Sequence, residues 1–212
     1  MSGCQCQGIE REFDHKEAAQ DLRRYRESGP DGTTRILLDA LKAEGVEGLT
    51  LLDIGGGVGA IQHELLSAGV TSAVDVDASS AYIQVAREEA QSRGHAGRVS
   101  YHHGDFVDWA PGIPAADIVT LDRVICCYDD MRALVGLSAA RARRFYGVVY
   151  PRDAWWMKIG LPIANFLYWL RRSPFRPFLH PSQAVEAEVL ARGLRRRFYR
   201  HTWMWQVVIY AR

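Results

Sequence analysis

The run Leu51-Leu52-Asp53-Ile54, followed at once by Gly55-Gly56-Gly57-Val58-Gly59-Ala60, constrains this chain more than any other stretch. Its first residues read as a buried strand ending beside an acidic side chain. The glycines then impose a turn, because a residue without Cβ accepts positive φ and lets another group approach bare backbone. Behind the turn, Ile61, Leu65 and Leu66 recur at helical spacing. Strand, glycine turn and helix in that order aim the first helical amides at a crevice where a charged, flat ligand can lie.

The rest of the chain repeats this alternation. Strands are expected near 49–54, 71–76, 98–102, 117–121 and 145–150, and helices near 59–68, 79–93 and 131–144. Ahead of them, 14–27 is charged and helix-compatible. After the break at Gly29-Pro30-Asp31-Gly32, Asp31 or Thr33 caps a second helix running to about Glu44. Alternating strands and helices imply right-handed crossovers and a mainly parallel sheet. The alternation stops at Pro151. An apolar, aromatic run over 154–170 follows, then a proline-rich loop, a helix near 182–192, and two strands near 195–203 and 205–211 with a tight break at Trp203 to Trp205. The expected fold is a doubly wound α/β domain whose seven-stranded sheet ends in an antiparallel strand. Residues 1–46 form an N-terminal helical cap, and 47–212 form the main domain with a helical lid at about 152–181.

At 212 residues the chain is long enough to bury a two-sided sheet. Its net charge of +1 hides a division. Residues 1–140 carry 12 Lys/Arg against 22 Asp/Glu, whereas 141–212 carry 14 against 3. Such a division suits an anionic partner for the C-terminal part, or ordinary solvated faces that neutralise the acidic half. The first residues are polar and lack an apolar core, so a cytoplasmic protein is expected. Cys4, Cys6, Cys126 and Cys127 fit no common zinc spacing, and no metal is expected.

Four polar features fall in order along the strands. Asp53 precedes the glycines, Asp77 and Ala78 end the second strand, Asp105 and Phe106 follow the third, and Leu121 and Asp122 end the fourth. In a doubly wound sheet all of these reach the carboxyl edge, where ligands bind. A carboxylate at the second strand end suits two ribose hydroxyls, and an acid after the third suits an exocyclic adenine amine. Each also reads as an ordinary turn or cap carboxylate.

At these residues the chain resembles the class I S-adenosylmethionine-dependent methyltransferases. Leu52 to Gly59 matches their first motif, although position 56, commonly cysteine in relatives, is glycine here. Val76-Asp77-Ala78-Ser79 matches the ribose segment and Gly104-Asp105-Phe106 the adenine segment. The resemblance implies S-adenosylmethionine as cofactor. It places Gly55, Gly57 and Gly59 under the methionine part, Asp53 organising that turn, Asp77 on the ribose and Asp105 on the adenine. Leu121 and Asp122 then flank the methionine or the substrate. Asp122 to Tyr128 is also loosely similar to the same region of magnesium-protoporphyrin O-methyltransferases. A dinucleotide reading competes, since Gly55-x-Gly57-x-x-Ala60 fits the relaxed fingerprint of NAD(P)-binding oxidoreductases, but Gly104-Asp105-Phe106 has no place in it.

The expected reaction is methyl transfer to oxygen of a small, acidic, partly apolar molecule. The lid would supply an apolar wall, with Arg171, Arg172 and Arg176 at its edge. Tyr128, Cys126 and His201 are weak catalytic candidates, and Cys127 and His180 stand near them. The alternative acceptor is a nucleic acid held by the arginine-rich C-terminal part, in which case binding weakens steeply with salt. Lys158, Pro162 and Asn165 interrupt the apolar run and exclude a membrane span of ~20 residues, while contact with a membrane surface stays open.

Overall fold

The computed structural model describes residues 3–212, with side chains from Gly8 onward. Three helices come first: α1 (Gly3–Glu12), α2 (His15–Ser28) and α3 (Gly32–Ala43). The alternating part follows as β1 (Thr50–Ile54), α4 (Ala60–Ser67), β2 (Ser72–Asp77), α5 (Ser80–Ser92), β3 (Val99–His103), α6 (Phe106–Trp109), β4 (Ala116–Asp122), α7 (Met131–Arg141) and β5 (Ala142–Pro151). The chain closes with α8 (Trp155–Leu170), α9 (Ser182–Leu190), β6 (Arg195–His201) and β7 (Trp205–Ala211).

One sheet holds all seven strands in the order β3-β2-β1-β4-β5-β7-β6. The first five run parallel, and β7 is antiparallel to both β5 and β6. Strand alternation divides the side chains between two buried faces. Leu52, Val119, Val148 and Val208 pack against α7 and α9 through Leu134, Val135 and Val185. Their neighbours Leu51, Ile118, Val149 and Val207 pack against α3 and α4 through Leu37, Leu41, Ile61 and Leu65. Helix α3 therefore lies under the sheet. Gly147 permits that approach: a Cβ there would stand 2.8 Å from Leu37 Cδ1, and Leu37 is fully buried.

Helix α2 takes a different position. Ala18 and Tyr25 pack with Val58 of the glycine turn and Tyr82 of α5. The Tyr82 hydroxyl donates to Asp21 at 2.6 Å, and Arg26 pairs with buried Glu89 at 2.6 Å. Sequence periodicity marked out no separate element for α1 within the expected N-terminal helical cap and placed Asp105 in plain loop, whereas Asp105 caps α6 by accepting from Val107 N at 2.9 Å. The helix expected to reach Arg144 ends at Arg141. Arginine is a good helix former, but Ala142 pairs with Ala116 in the sheet, and that ladder outcompetes another helical turn. The arginines of the last hairpin sit on β6, the sheet's outer strand. There Arg196 meets Glu186 and Arg197 meets Glu44, and charge along an exposed edge discourages pairing with another chain.

Candidate functional site

Strands β1 and β4 are neighbours whose following connections go to opposite faces, so their carboxyl ends open a crevice. A cavity of about 560 Å³ occupies it. The floor is Gly55 to Val58, one wall is Asp77, Ala78, Asp105 and Phe106, and the other is Asp122 to Val124 with Cys126 to Tyr128. Helices α1 and α2 and the loop after α8 close it over with Ile9, Phe13, Tyr25, Phe175 and Pro177.

The floor is bare backbone for steric reasons. Gly55, Gly57 and Gly59 have φ of 67°, 58° and 80°, a region costly for other residues. Gly56 is needed for space instead: a side chain there would overlap the Gln62 amide and stand 2.6 Å from Asp75 Oδ1. The glycine at position 56 thus belongs with a bulky pair beneath it.

Asp53 is buried under the turn, accepting from Thr120 Oγ1 at 2.7 Å and from Gln62 Nε2 at 3.2 Å. Burial outweighs those bonds and pushes its pKa up to about 7. Asp77 holds the turn from β2, accepting from Gly57 N at 3.1 Å and Ser79 N at 2.8 Å, and burial raises its pKa too. Asp75, which sequence reasoning missed, lies one turn of the pleat below. It is fully buried, neither oxygen has a well-formed hydrogen bond among the described residues, and burial holds its pKa well above the usual carboxylate range. A polar residue inside a parallel strand was the available signal.

The opposite wall is clasped to α3. Asp31 caps that helix through Thr33 N and Thr34 N, both at 3.1 Å. Arg123 pairs with Asp31 and with Asp122, and Thr34 Oγ1 donates to Asp122. Burial works against the charged form of Asp31, yet Arg123 and the threonine bonds together lower its pKa. Asp122 goes the other way, raised because burial exceeds the help from Arg123. Arg123 itself has a φ of 62°, held by its backbone N–H donating to Val149 O at 2.8 Å.

Most of the residues expected from sequence converge here. Asp53, Gly55, Gly57, Asp77, Ala78, Asp105, Phe106, Asp122, Cys126, Cys127 and Tyr128 all line the cavity. The Tyr128 hydroxyl donates to both Asp105 oxygens at 2.9 Å, which ties two expected residues together. Gly59 stops short of the lining and instead heads α4, and the Leu121 side chain points into the core. His201 is outside: it ends β6, three strands beyond β4, and is exposed. His180 donates from Nε2 to the Tyr128 carbonyl, 2.8 Å away, and so fixes a loop. Arg171 and Arg172 are exposed away from the cavity, and Arg176 donates to the Ser173 and Phe175 carbonyls. Among the described residues the cations that do reach the cavity are Arg24 and Arg123, against six aspartates. Among the described residues no His, Cys, Asp or Glu cluster suits a metal. The side chains of Cys4 and Cys6 lie outside the described residues.

A glycine-floored, strongly acidic cavity at the centre of a seven-stranded sheet with reversed β7 has the volume and charge for a cationic nucleoside. This is the arrangement of an S-adenosylmethionine-dependent methyltransferase. Residues 7–142 match the family described as O-methyltransferase domain, and the chain belongs to that family. No curated protein matches the sequence significantly. Solved structures agree on the fold. Magnesium protoporphyrin IX methyltransferase from Synechocystis PCC 6803, with bound S-adenosylhomocysteine, superposes with a TM-score of 0.74 over 98% of this chain and 99% of that one, at 17% identity. An O-methyltransferase family protein from Burkholderia thailandensis gives 0.65 at 20% identity, over 94% and 63%.

Proposed function

We propose that the protein transfers the methyl group of S-adenosylmethionine to a carboxylate oxygen of a small, partly apolar acid. The observation that carries this reading is chemical. Among the described residues the cavity is lined by no histidine and no lysine, and its aspartates are buried or already bonded. An alcohol or amine acceptor wants a general base near neutral pH, whereas a carboxylate arrives ionised and needs only alignment. The rest of the wall suits an apolar body, with Phe13, Val124, Phe175 and Pro177 among its lining.

Bound S-adenosylmethionine supplies a methyl group on a cationic sulfur and leaves as a neutral thioether. In this reading Asp77 accepts from the ribose hydroxyls, while Asp105 and Phe106 take the adenine. Gly55 to Gly57 let the methionine part lie on backbone, and Asp53 steadies the turn through Gln62. The aspartates favour the cationic cofactor over its neutral product. Helices α1 and α2 and the loop after α8 serve as the cap that excludes water. Arg24 and Arg123 are the cations within reach of an acidic acceptor. The test is transfer of label from methyl-labelled S-adenosylmethionine to a panel of amphiphilic carboxylic acids, alcohols and oligonucleotides. Alkali-labile methyl esters are expected. Label fixed only in alkali-stable ethers or in nucleic acid would sink the carboxylate reading.

A further inference from the structure

Helix α8 is built inside out. A surface helix normally turns its apolar stripe inward. Here the inward side carries Asn165, bonded to the Pro177 carbonyl at 3.1 Å, and Tyr168, bonded to Glu12 at 3.1 Å. The outward side carries Trp155, Ile159, Ile163, Phe166 and Leu170, each 56–74% exposed, and no residue of the helix is buried. Trp203, 71% exposed at the tip of the β6–β7 hairpin, stacks on Trp156 at 4.1 Å and extends the patch onto a second element. A continuous apolar surface of this kind marks an interaction site.

We propose that this face lies in the surface of an anionic lipid bilayer. Charge selects that partner. From Ala154 to Val185 the chain has no Asp or Glu, while Lys158, Arg171, Arg172 and Arg176 flank the apolar stripe. Aromatic and aliphatic side chains bordered by cations are what the headgroup boundary of an acidic membrane accepts. Sixteen residues rise about 24 Å, short of the ~30 Å hydrocarbon core, and no described helix is long and apolar enough to cross it. The helix therefore lies flat. Its inner side connects to the cavity through edge-to-face rings, Tyr168 on Phe175 at 5.3 Å and Phe175 on Phe13 at 5.8 Å. Docking thus sets the cavity mouth beside lipid, where an amphiphilic acceptor concentrates. Only this last step rests on the carboxylate reading.

Co-sedimentation of the full chain with vesicles of phosphatidylcholine, alone or mixed with phosphatidylglycerol, tests the proposal. Four of the six tryptophans sit on this face, so brominated lipid should quench most of the intrinsic fluorescence. Binding is expected on the mixed vesicles and should weaken with salt. The triple variant Ile159→Gln, Ile163→Gln, Phe166→Gln alters exposed positions, so its circular dichroism and cofactor calorimetry should be unchanged. Its partition onto mixed vesicles should fall at least about tenfold. Arg171→Glu with Arg172→Glu should cost at least about fivefold per arginine on mixed vesicles and nothing on neutral ones. Absence of wild-type binding to mixed vesicles, or equal binding by the triple variant, overturns the proposal. So does a wild-type dimer that binds no vesicle and that the triple variant dissociates, which would give the face to a second copy.

Discussion

Replacing Asp53 by Asn should change how the stability of the protein depends on pH. Asp53 is 1% exposed, and burial lifts its pKa from 3.8 to about 7. Between those values the folded state holds a proton that the unfolded state has released. Its stabilisation is present below about pH 4, declines as pH rises, and is gone above about pH 7. At about 1.4 kcal/mol per pH unit, the full loss is roughly 4 kcal/mol, of which roughly 3 falls between pH 5 and pH 8. Asparagine removes the titration without removing the bonds. It can still accept from Thr120, and its amide can donate to Gln62 Oε1, which is buried and has no partner among the described residues in the wild type, once that amide rotates. Buried groups elsewhere titrate as well. His63, pushed down to about 4 by burial, acts with the opposite sign. The informative quantity is therefore the difference between variant and wild type. Urea unfolding followed by circular dichroism at about pH 5 and about pH 8 should show the wild type losing roughly 3 kcal/mol more than Asp53→Asn. Parallel behaviour of the two proteins would show that Asp53 is already ionised when buried, and the electrostatic account of the cavity floor would fail.

Two further outcomes are expected. Asp77→Ala should weaken S-adenosylmethionine binding in calorimetry by ~1.5–3 kcal/mol for each ribose bond lost, with a smaller loss of stability from the orphaned Gly57 and Ser79 amides; unchanged affinity would remove Asp77 from the ribose. Gly147→Ala should lower stability by ~1–3 kcal/mol, because the new methyl meets Leu37 at 2.8 Å in a core that cannot yield; a melting temperature equal to wild type would mean that α3 sits more loosely on β5 than its geometry indicates.

The chain's local chemistry determined the alternation of strands and helices, the turn at 55–59 and the strand ends at Asp77 and Asp122. Hydrophobic period, glycine conformational freedom and capping side chains act within a few residues, so they are legible in one dimension. Only the tertiary structure decided which distant groups share the site. Thr34 reaches Asp122 across 88 positions of chain, and Asp31 reaches Arg123 across 92, because α3 packs under β5 at Gly147. Tyr128 meets Asp105 because the loops after β3 and β4, strands three places apart in the sheet, both open on one crevice, while His201 is carried off to the sheet edge by the hairpin. Burial likewise raised the pKa of Asp53 and Asp75, since desolvation depends on what surrounds a carboxyl in space. The apolar run at 154–170 shows the limit most sharply: its composition suits a core helix or an exposed one equally, and only the packing of the rest of the chain leaves its Trp and Ile face turned outward.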